Sequence, residues 1–203
     1  MTVVVALSVG AQLTIPNEFS LGDARLMPAI ELLMLAVLVA LNPGEIRKPH
    51  LHLRWLSLAL TATMSLSNVV EALRLITAIL QGTGAKDAST VLRVGGTVWL
   101  VNVVVMALWY WELDRGGASA RARNLHNRPD FLFPQMTAPQ FAHVDWEPGF
   151  IDYFYTSFTN ASAFSPTDVL PLTRWAKLLM MLQSMVSLTT VALIIARAVN
   201  TLR

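Results

Sequence analysis

Glu71 and Arg74 stand three residues apart in a long apolar run, and Glu31 stands in an earlier one. Residues at i and i+3 share a helix face, so Glu71 and Arg74 are placed to meet, with Glu31 a second acid for the same arginine. An unpaired charge at membrane depth costs roughly 2.5 to 3.5 kcal/mol on insertion scales. The expected arrangement is a buried pair that fixes helix packing, preferred over a gating or proton-sensing pair. Little else has the spacing of an active site. The chain has no cysteine, which removes thiolate nucleophiles and thiolate metal ligands. His50 and His52 have no carboxylate cluster near them, and Gly82-Thr83-Gly84-Ala85-Lys86 lacks the spacing and the preceding strand of a phosphate loop. No nucleophile, base and acid recur at catalytic spacing. The expectation is a protein that is not an enzyme and uses no cofactor and no metal.

The elements that must hold these charges are set by composition. Of 203 residues, 54% are hydrophobic and only 14% are charged, about half the charge fraction of an ordinary soluble domain. Long uncharged runs then imply a multi-span membrane protein whose first partner is the bilayer. No basic stripe with interleaved aromatics is present, so no nucleic-acid partner is expected. Residues 1–23 begin with an apolar stretch that has no basic region before it and breaks at Ile15-Pro16, which reads as an interfacial segment. Apolar runs follow at 25–41, 55–80, 91–111 and 178–199. Roughly 20 helical residues cross the hydrocarbon core, so the last three suffice and the first is marginal. Period-2 alternation is absent, and backbone groups in lipid must be satisfied internally. Four spanning helices are expected: a hairpin over 24–81, then two more, in a multi-pass protein of the plasma (inner) membrane.

Between the last two runs lies a segment too long for a turn and not uniformly polar. Residues 112–130, with Gly116, Gly117, Arg115, Arg121, Arg123 and Arg128, read as a solvated loop, and the expected loop extends to 148. From Gly149 to Phe158 the sequence becomes aromatic, predicting a helix over 149–160 too short to cross a bilayer. Such a helix reads as re-entrant or interfacial. An irregular stretch over 161–171 follows, then a full span over 174–200.

A short re-entrant helix, an irregular stretch and a full span are the plan of a pore loop. The segment resembles the pore module of the two-span and tandem-pore potassium channels. Asp168 and Pro171 match the aspartate and proline that follow the family's Thr-Val-Gly-Tyr-Gly-Asp filter, and Ser157, Phe158 and Thr159 suit the end of its pore helix. Residues 88–203 then form the module, with 91–111 as outer helix and 174–200 as inner helix. Aligned on Asp168, Ala163, Phe164, Ser165, Pro166 and Thr167 replace the family's filter residues. Its glycines are gone, and with them the backbone freedom that turns successive carbonyls toward one axis, so potassium selectivity is not inherited. Across most of its length the chain also resembles an uncharacterised family of bacterial integral membrane proteins distantly related to ion channels. That likeness rests on Ala107 to Gly117 (Ala-Leu-Trp-Tyr-Trp-Glu-Leu-Asp-Arg-Gly-Gly), Pro129 to Met136 and Ser157 to Lys177.

The resemblance implies a channel-like membrane protein, a cation channel not selective for potassium, assembled as a homotetramer around monovalent cations. A ring of Asp168 would concentrate cations at its mouth. Ser and Thr in a span ordinarily hydrogen-bond their own or a neighbouring helix. In a channel, Gln183, Ser187 and Thr190 become candidates to line the axis. The alternative is a non-conducting scaffold that keeps the fold, with Phe164 plugging the path. Charge bias opposes the channel topology. Arg47, Lys48, Arg54, Arg115, Arg121, Arg123, Arg128, Arg174 and Lys177 fall on the pore-loop side, whereas Arg25, Lys86, Arg93, Arg197 and Arg203 fall on the other. Motif order is the more specific signal and sets the expected orientation.

Overall fold

The computed structural model describes residues 1–20, 22–41, 51–82, 88–121, 123, 128–144, 146–163 and 168–201, without the side chains of 51, 88, 163 and 198–201. The fold is helical, as expected, and the helices follow the apolar runs. Helix α1 (Thr2–Gln12) is followed by α2 (Leu26–Leu41), α3 (Leu51–Gln81) and α4 (Ala88–Leu113). Two single-turn helices, α5 (Ala118–Arg121) and α6 (Pro134–Thr137), precede α7 (Phe150–Ala163) and α8 (Arg174–Thr201). Two-residue strands β1 (Phe131–Leu132) and β2 (Leu170–Pro171) pair antiparallel, Phe131 opposite Pro171.

Among the described residues, three stretches are long and apolar enough to cross a membrane: His52–Gln81, Ser89–Arg121 and Arg174–Arg197. The expected fourth span is α2, 16 residues and so about 24 Å of helix, short of a hydrocarbon core of about 30 Å. Helix α4 is central. Every residue from Val101 to Leu108 is buried, because α1, α3, α7 and α8 all pack on it. A helix covered on all sides can be apolar all round. α8 covers one flank and leaves an apolar stripe open, with Leu178, Met181, Leu182, Met185, Leu188 and Ile195 exposed.

The N-terminal stretch is drawn into the core. Val5 and Val9 of α1 pack with Leu35 of α2, Leu60 and Met64 of α3 and Val101, Val104, Val105 and Leu108 of α4. A second cluster joins Ile15 and Phe19 to Leu75, Val94, Val98 and Ile194. Gly95 lets α8 approach there, since a Cβ on it would lie 2.6 Å from Ile194 Cγ1. At the far end of α3, Ser57 donates to the Glu112 carboxylate at 2.6 Å.

Part of the loop expected to be solvated packs into the bundle, although Arg123 and Arg128 are exposed. Arg121 is buried; its guanidinium donates to the carbonyls of Trp111 (2.7 Å) and Asp114 (2.9 Å) and lies 4.2 Å over the Trp111 ring. Composition suggested four solvated arginines, but a guanidinium whose hydrogen bonds go to helix-terminal carbonyls complements the negative helix end and need not stay in water. Phe131 and Phe133 are buried with Tyr110, Tyr153, Val169, Ala176 and Met180 in a third cluster.

Candidate functional site: the junction of α4, α7 and α8

Helix α7 doubles back along α4. Near its start, Phe150 and Tyr153 meet the Trp111 ring at 6.2 and 5.5 Å. Further on, Ser157 donates to the Val103 carbonyl at 2.7 Å, and Phe158 packs edge-on against Trp99 at 5.7 Å. Its 14 residues make about 21 Å of helix. The helix runs three residues further than the sequence suggested, so Ala163 is helical rather than part of an extended filter. Ala161, Ser162 and Ala163 contain no breaker, and Thr159 and Ser162 return their hydroxyls to carbonyls of the preceding turn.

Phe164, Ser165, Pro166 and Thr167 lie outside the described residues. The chain returns at Asp168, whose carboxylate accepts from the Tyr155 hydroxyl at 3.1 Å. Tyr155 lies two turns before the end of α7, about 12 Å along its axis, so Asp168 sits back toward the start of the helix rather than beyond its end. Val169 then joins the Tyr153 cluster, β2 pairs with β1, and Trp175 at the start of α8 stacks edge-on to Phe131 at 5.7 Å. The end of α4 and the starts of α7 and α8 thus share one end of the bundle. A cavity of about 210 Å³ opens there, lined in part by Asp152, Tyr155, Asp168 and Phe133.

Two aspartates, one in the segment Ala107 to Gly117 and one in Pro129 to Met136, tie this end together. Asp114, with no exposed surface, accepts from the Tyr153 hydroxyl (2.5 Å) and the backbone N–H groups of Asp130 (2.8 Å) and Phe131 (3.4 Å). The Arg115 guanidinium lies 3.5 Å away. Burial pushes the Tyr153 phenol up from its ordinary range, so it stays a donor. Asp130 accepts from the Arg115 N–H (2.8 Å) and the Trp175 indole N–H (3.0 Å), and its carbonyl accepts from the Leu172 N–H (2.8 Å). The available signal was an acid directly after an aromatic belt and before Gly116-Gly117, where the chain turns through left-handed conformations at Arg115 (φ 49°) and Gly116 (φ 79°).

Halfway down α7, Gln183 of α8 is a hub. Its carbonyl accepts from the Tyr110 hydroxyl (2.6 Å) and the Asn160 amide (2.8 Å), and its amide donates to the carbonyl and hydroxyl of Ser157 (3.0 and 2.7 Å). One turn on, Ser187 accepts from Asn102 at 3.0 Å. Thr190 is buried, and its hydroxyl has no partner. The expectation that Gln183, Ser187 and Thr190 line an axis between subunits is therefore corrected. A lining side chain is exposed in a single chain, whereas these three are enclosed between α8 and its neighbours, because polar groups in an apolar bundle are spent on each other.

The expected Glu71–Arg74 pair is also absent. Arg74 reaches out to the Ser20 carbonyl. Glu31 accepts from Ser67 at 3.1 Å and has Glu71, not arginine, as its charged neighbour. Arg74 lies nearly one turn closer than Glu71 to the end of α3, level with the connection between α1 and α2. A long cation there snorkels to a backbone acceptor at the edge. No protein-family model, no curated protein and no solved structure matches the chain.

Proposed function

We propose that the chain is a channel-like membrane protein of the plasma membrane, four protomers surrounding a path for cations without potassium selectivity, with α2 as a fourth span and α7 as a re-entrant helix. The observation that carries the reading is the Tyr155–Asp168 hydrogen bond, which returns the chain toward the side on which α7 begins. A helix too short to cross, entering and leaving on one side between two full spans, is the geometry of a pore loop. Its C-terminus carries partial negative charge, and Asp168 with Asp152 adds carboxylates at the mouth, so the electrostatics favour cations. One such loop cannot enclose an axis, which is why closed symmetry is part of the reading.

A second reading, a non-conducting scaffold, is favoured by the burial of Gln183, Ser187 and Thr190. That burial leaves α8 with an apolar open face, and an axis lined by Met181, Met185 and Leu188 would gate by dewetting. Flux of sodium and potassium into liposomes holding the purified protein separates the two. The channel reading expects flux above empty vesicles for both ions, reduced severalfold by Asp168→Asn. Flux equal to empty vesicles across all voltages and pH values removes conduction. If Ser165→Gly, Pro166→Tyr and Thr167→Gly together then create potassium flux, the chain is a degenerate channel.

A further inference from the structure

At the other end of the bundle, α1, α2 and α3 enclose a polar pocket that no part of the pore-like module uses. Glu31 is fully buried and Glu71 is 4% exposed; Gln12 closes the pocket from α1 and is 1% exposed. Ser67 and Asn68, both buried, complete it, and the spacing of Ser67, Asn68 and Glu71 puts all three on one face of α3. Ser67, whose hydroxyl meets a Glu31 oxygen at 3.1 Å, stands one turn before Glu71 on α3, so the two carboxylates belong to one neighbourhood. The Gln12 amide approaches Glu31 without closing a hydrogen bond of good geometry to it.

Partner accounting is what sets this pocket apart. The Ser67 hydroxyl meets one oxygen of Glu31, but Glu31 Oε2, Glu71 Oε2, Asn68 Oδ1 and both polar atoms of Gln12 have no hydrogen-bond partner. Arg74, the basic side chain within a turn of Glu71, is turned away to Ser20. Two neighbouring carboxylates in an apolar interior, with no cationic side chain paired to either among the described residues, are neutralised by protons or by a bound cation.

We propose that Glu31 and Glu71, with the side-chain oxygens of Gln12, Ser67 and Asn68, form a site for one divalent cation of the calcium class. The donors are all hard oxygens, which selects against zinc and copper. Two carboxylates neutralise a divalent ion, whereas one sodium ion leaves a buried negative charge. With both carboxylates bidentate, the five residues supply oxygens in the six-to-eight range that calcium takes, from three separate helices, whose irregular geometry suits calcium better than octahedral magnesium. Gln12 is the last residue of α1, so the site lies just inside the connection at 13–25, through which an ion would enter.

The test uses the full chain in detergent, stripped of divalent ions. Equilibrium dialysis with radiolabelled calcium and thermal unfolding at constant ionic strength are the readouts. Expected are one saturable calcium per chain and a rise in Tm with calcium that equimolar magnesium or sodium does not reproduce. Glu31→Gln and Glu71→Gln should each weaken binding at least a hundredfold and Gln12→Leu about tenfold, while exposed Glu18→Gln binds normally. Both glutamine variants should still unfold cooperatively without calcium, which separates lost ligation from lost folding. Any of three results overturns the proposal: no saturable binding at millimolar calcium, binding unchanged in the Glu31→Gln, Glu71→Gln double variant, or a Tm that responds to sodium or acidification but not to calcium.

Discussion

The two buried polar regions of this bundle are alike in residue type and opposite in bookkeeping. Around Gln183, each side-chain polar group of Tyr110, Ser157, Asn160 and Gln183 has a partner on another helix or on the backbone. Between α1, α2 and α3, similar amides, hydroxyls and carboxylates leave five polar atoms unmatched. A satisfied buried network fixes one helix arrangement, and its removal is a loss of structure. An unsatisfied one holds acceptors at a cost that a ligand relieves. The first region is architecture, and the second is where a small ion has the most to offer.

The largest effect should come from the satisfied side. Asp114→Ala removes the acceptor for a phenol and two backbone N–H groups and leaves Arg115 without its counter-ion. A loss on the order of 3 to 5 kcal/mol is expected. The variant should fail to give a monodisperse peak in detergent, and a Tm within a few degrees of the parent would show that Asp114 does not hold this end together. Gln183→Leu comes next, at about 3 kcal/mol, because it orphans the Tyr110 hydroxyl and takes one of two acceptors from the Asn160 amide, which keeps the Met180 carbonyl. Asn160→Ala in the same background should add little, since the two belong to one network.

The same kind of change on the unsatisfied side should run the other way. Glu71→Gln removes one of two facing like charges and breaks no hydrogen bond at Oε2. In calcium-free buffer its Tm should equal or exceed the parent's, by on the order of 1 kcal/mol in stability. A clear fall in Tm would put Glu71 in the same class as Gln183 and dissolve the comparison.

How much of this was legible in the sequence differs between the two regions for a physical reason. Apolar runs set the helices, because length and hydropathy are local properties. Which face of α8 is covered is not local. The spacing of Gln183, Ser187 and Thr190 says only that they share a face, and α4 and α7 decide that the face is inside. Arg74 failed in the same way. Its spacing from Glu71 was right, but the acceptor it takes, the Ser20 carbonyl, lies 54 residues away in sequence. The packing of Arg121, Phe131 and Phe133 was hidden because the arginines around them read as solvent-facing, as Arg123 and Arg128 are, whereas those three are held by residues of α4, α7 and α8. Glu31 and Glu71 could be read as costly charges; that they face each other could not.

Gly117→Ala is a smaller and purely conformational effect. Its φ of 94° with ψ of 172° is a region open essentially to glycine, and a Cβ there would lie 3.0 Å from the Glu112 carbonyl oxygen. About 1 to 3 kcal/mol should be lost. The reading sharpens if Gly116→Ala costs less, since its φ of 79° lies in the left-handed region, which side chains adopt at some strain.

The smallest expected change in stability is also the one that reports on function. Tyr155→Phe deletes a single hydrogen bond between partly solvated groups, worth at most about 1 kcal/mol, so Tm should barely move. What the bond does is hold Asp168 against α7, and so fix its return toward the start of the helix. If that return positions a path for cations, liposome flux should fall severalfold in Tyr155→Phe at nearly constant stability. Asp168→Asn, which keeps an acceptor oxygen for the phenol but removes the charge, should lower flux without freeing the return. Flux lowered in Asp168→Asn but unchanged in Tyr155→Phe would mean that charge alone matters at the mouth. A larger defect in Tyr155→Phe would mean that the position of Asp168 is the limiting property, as the proposed pore loop requires.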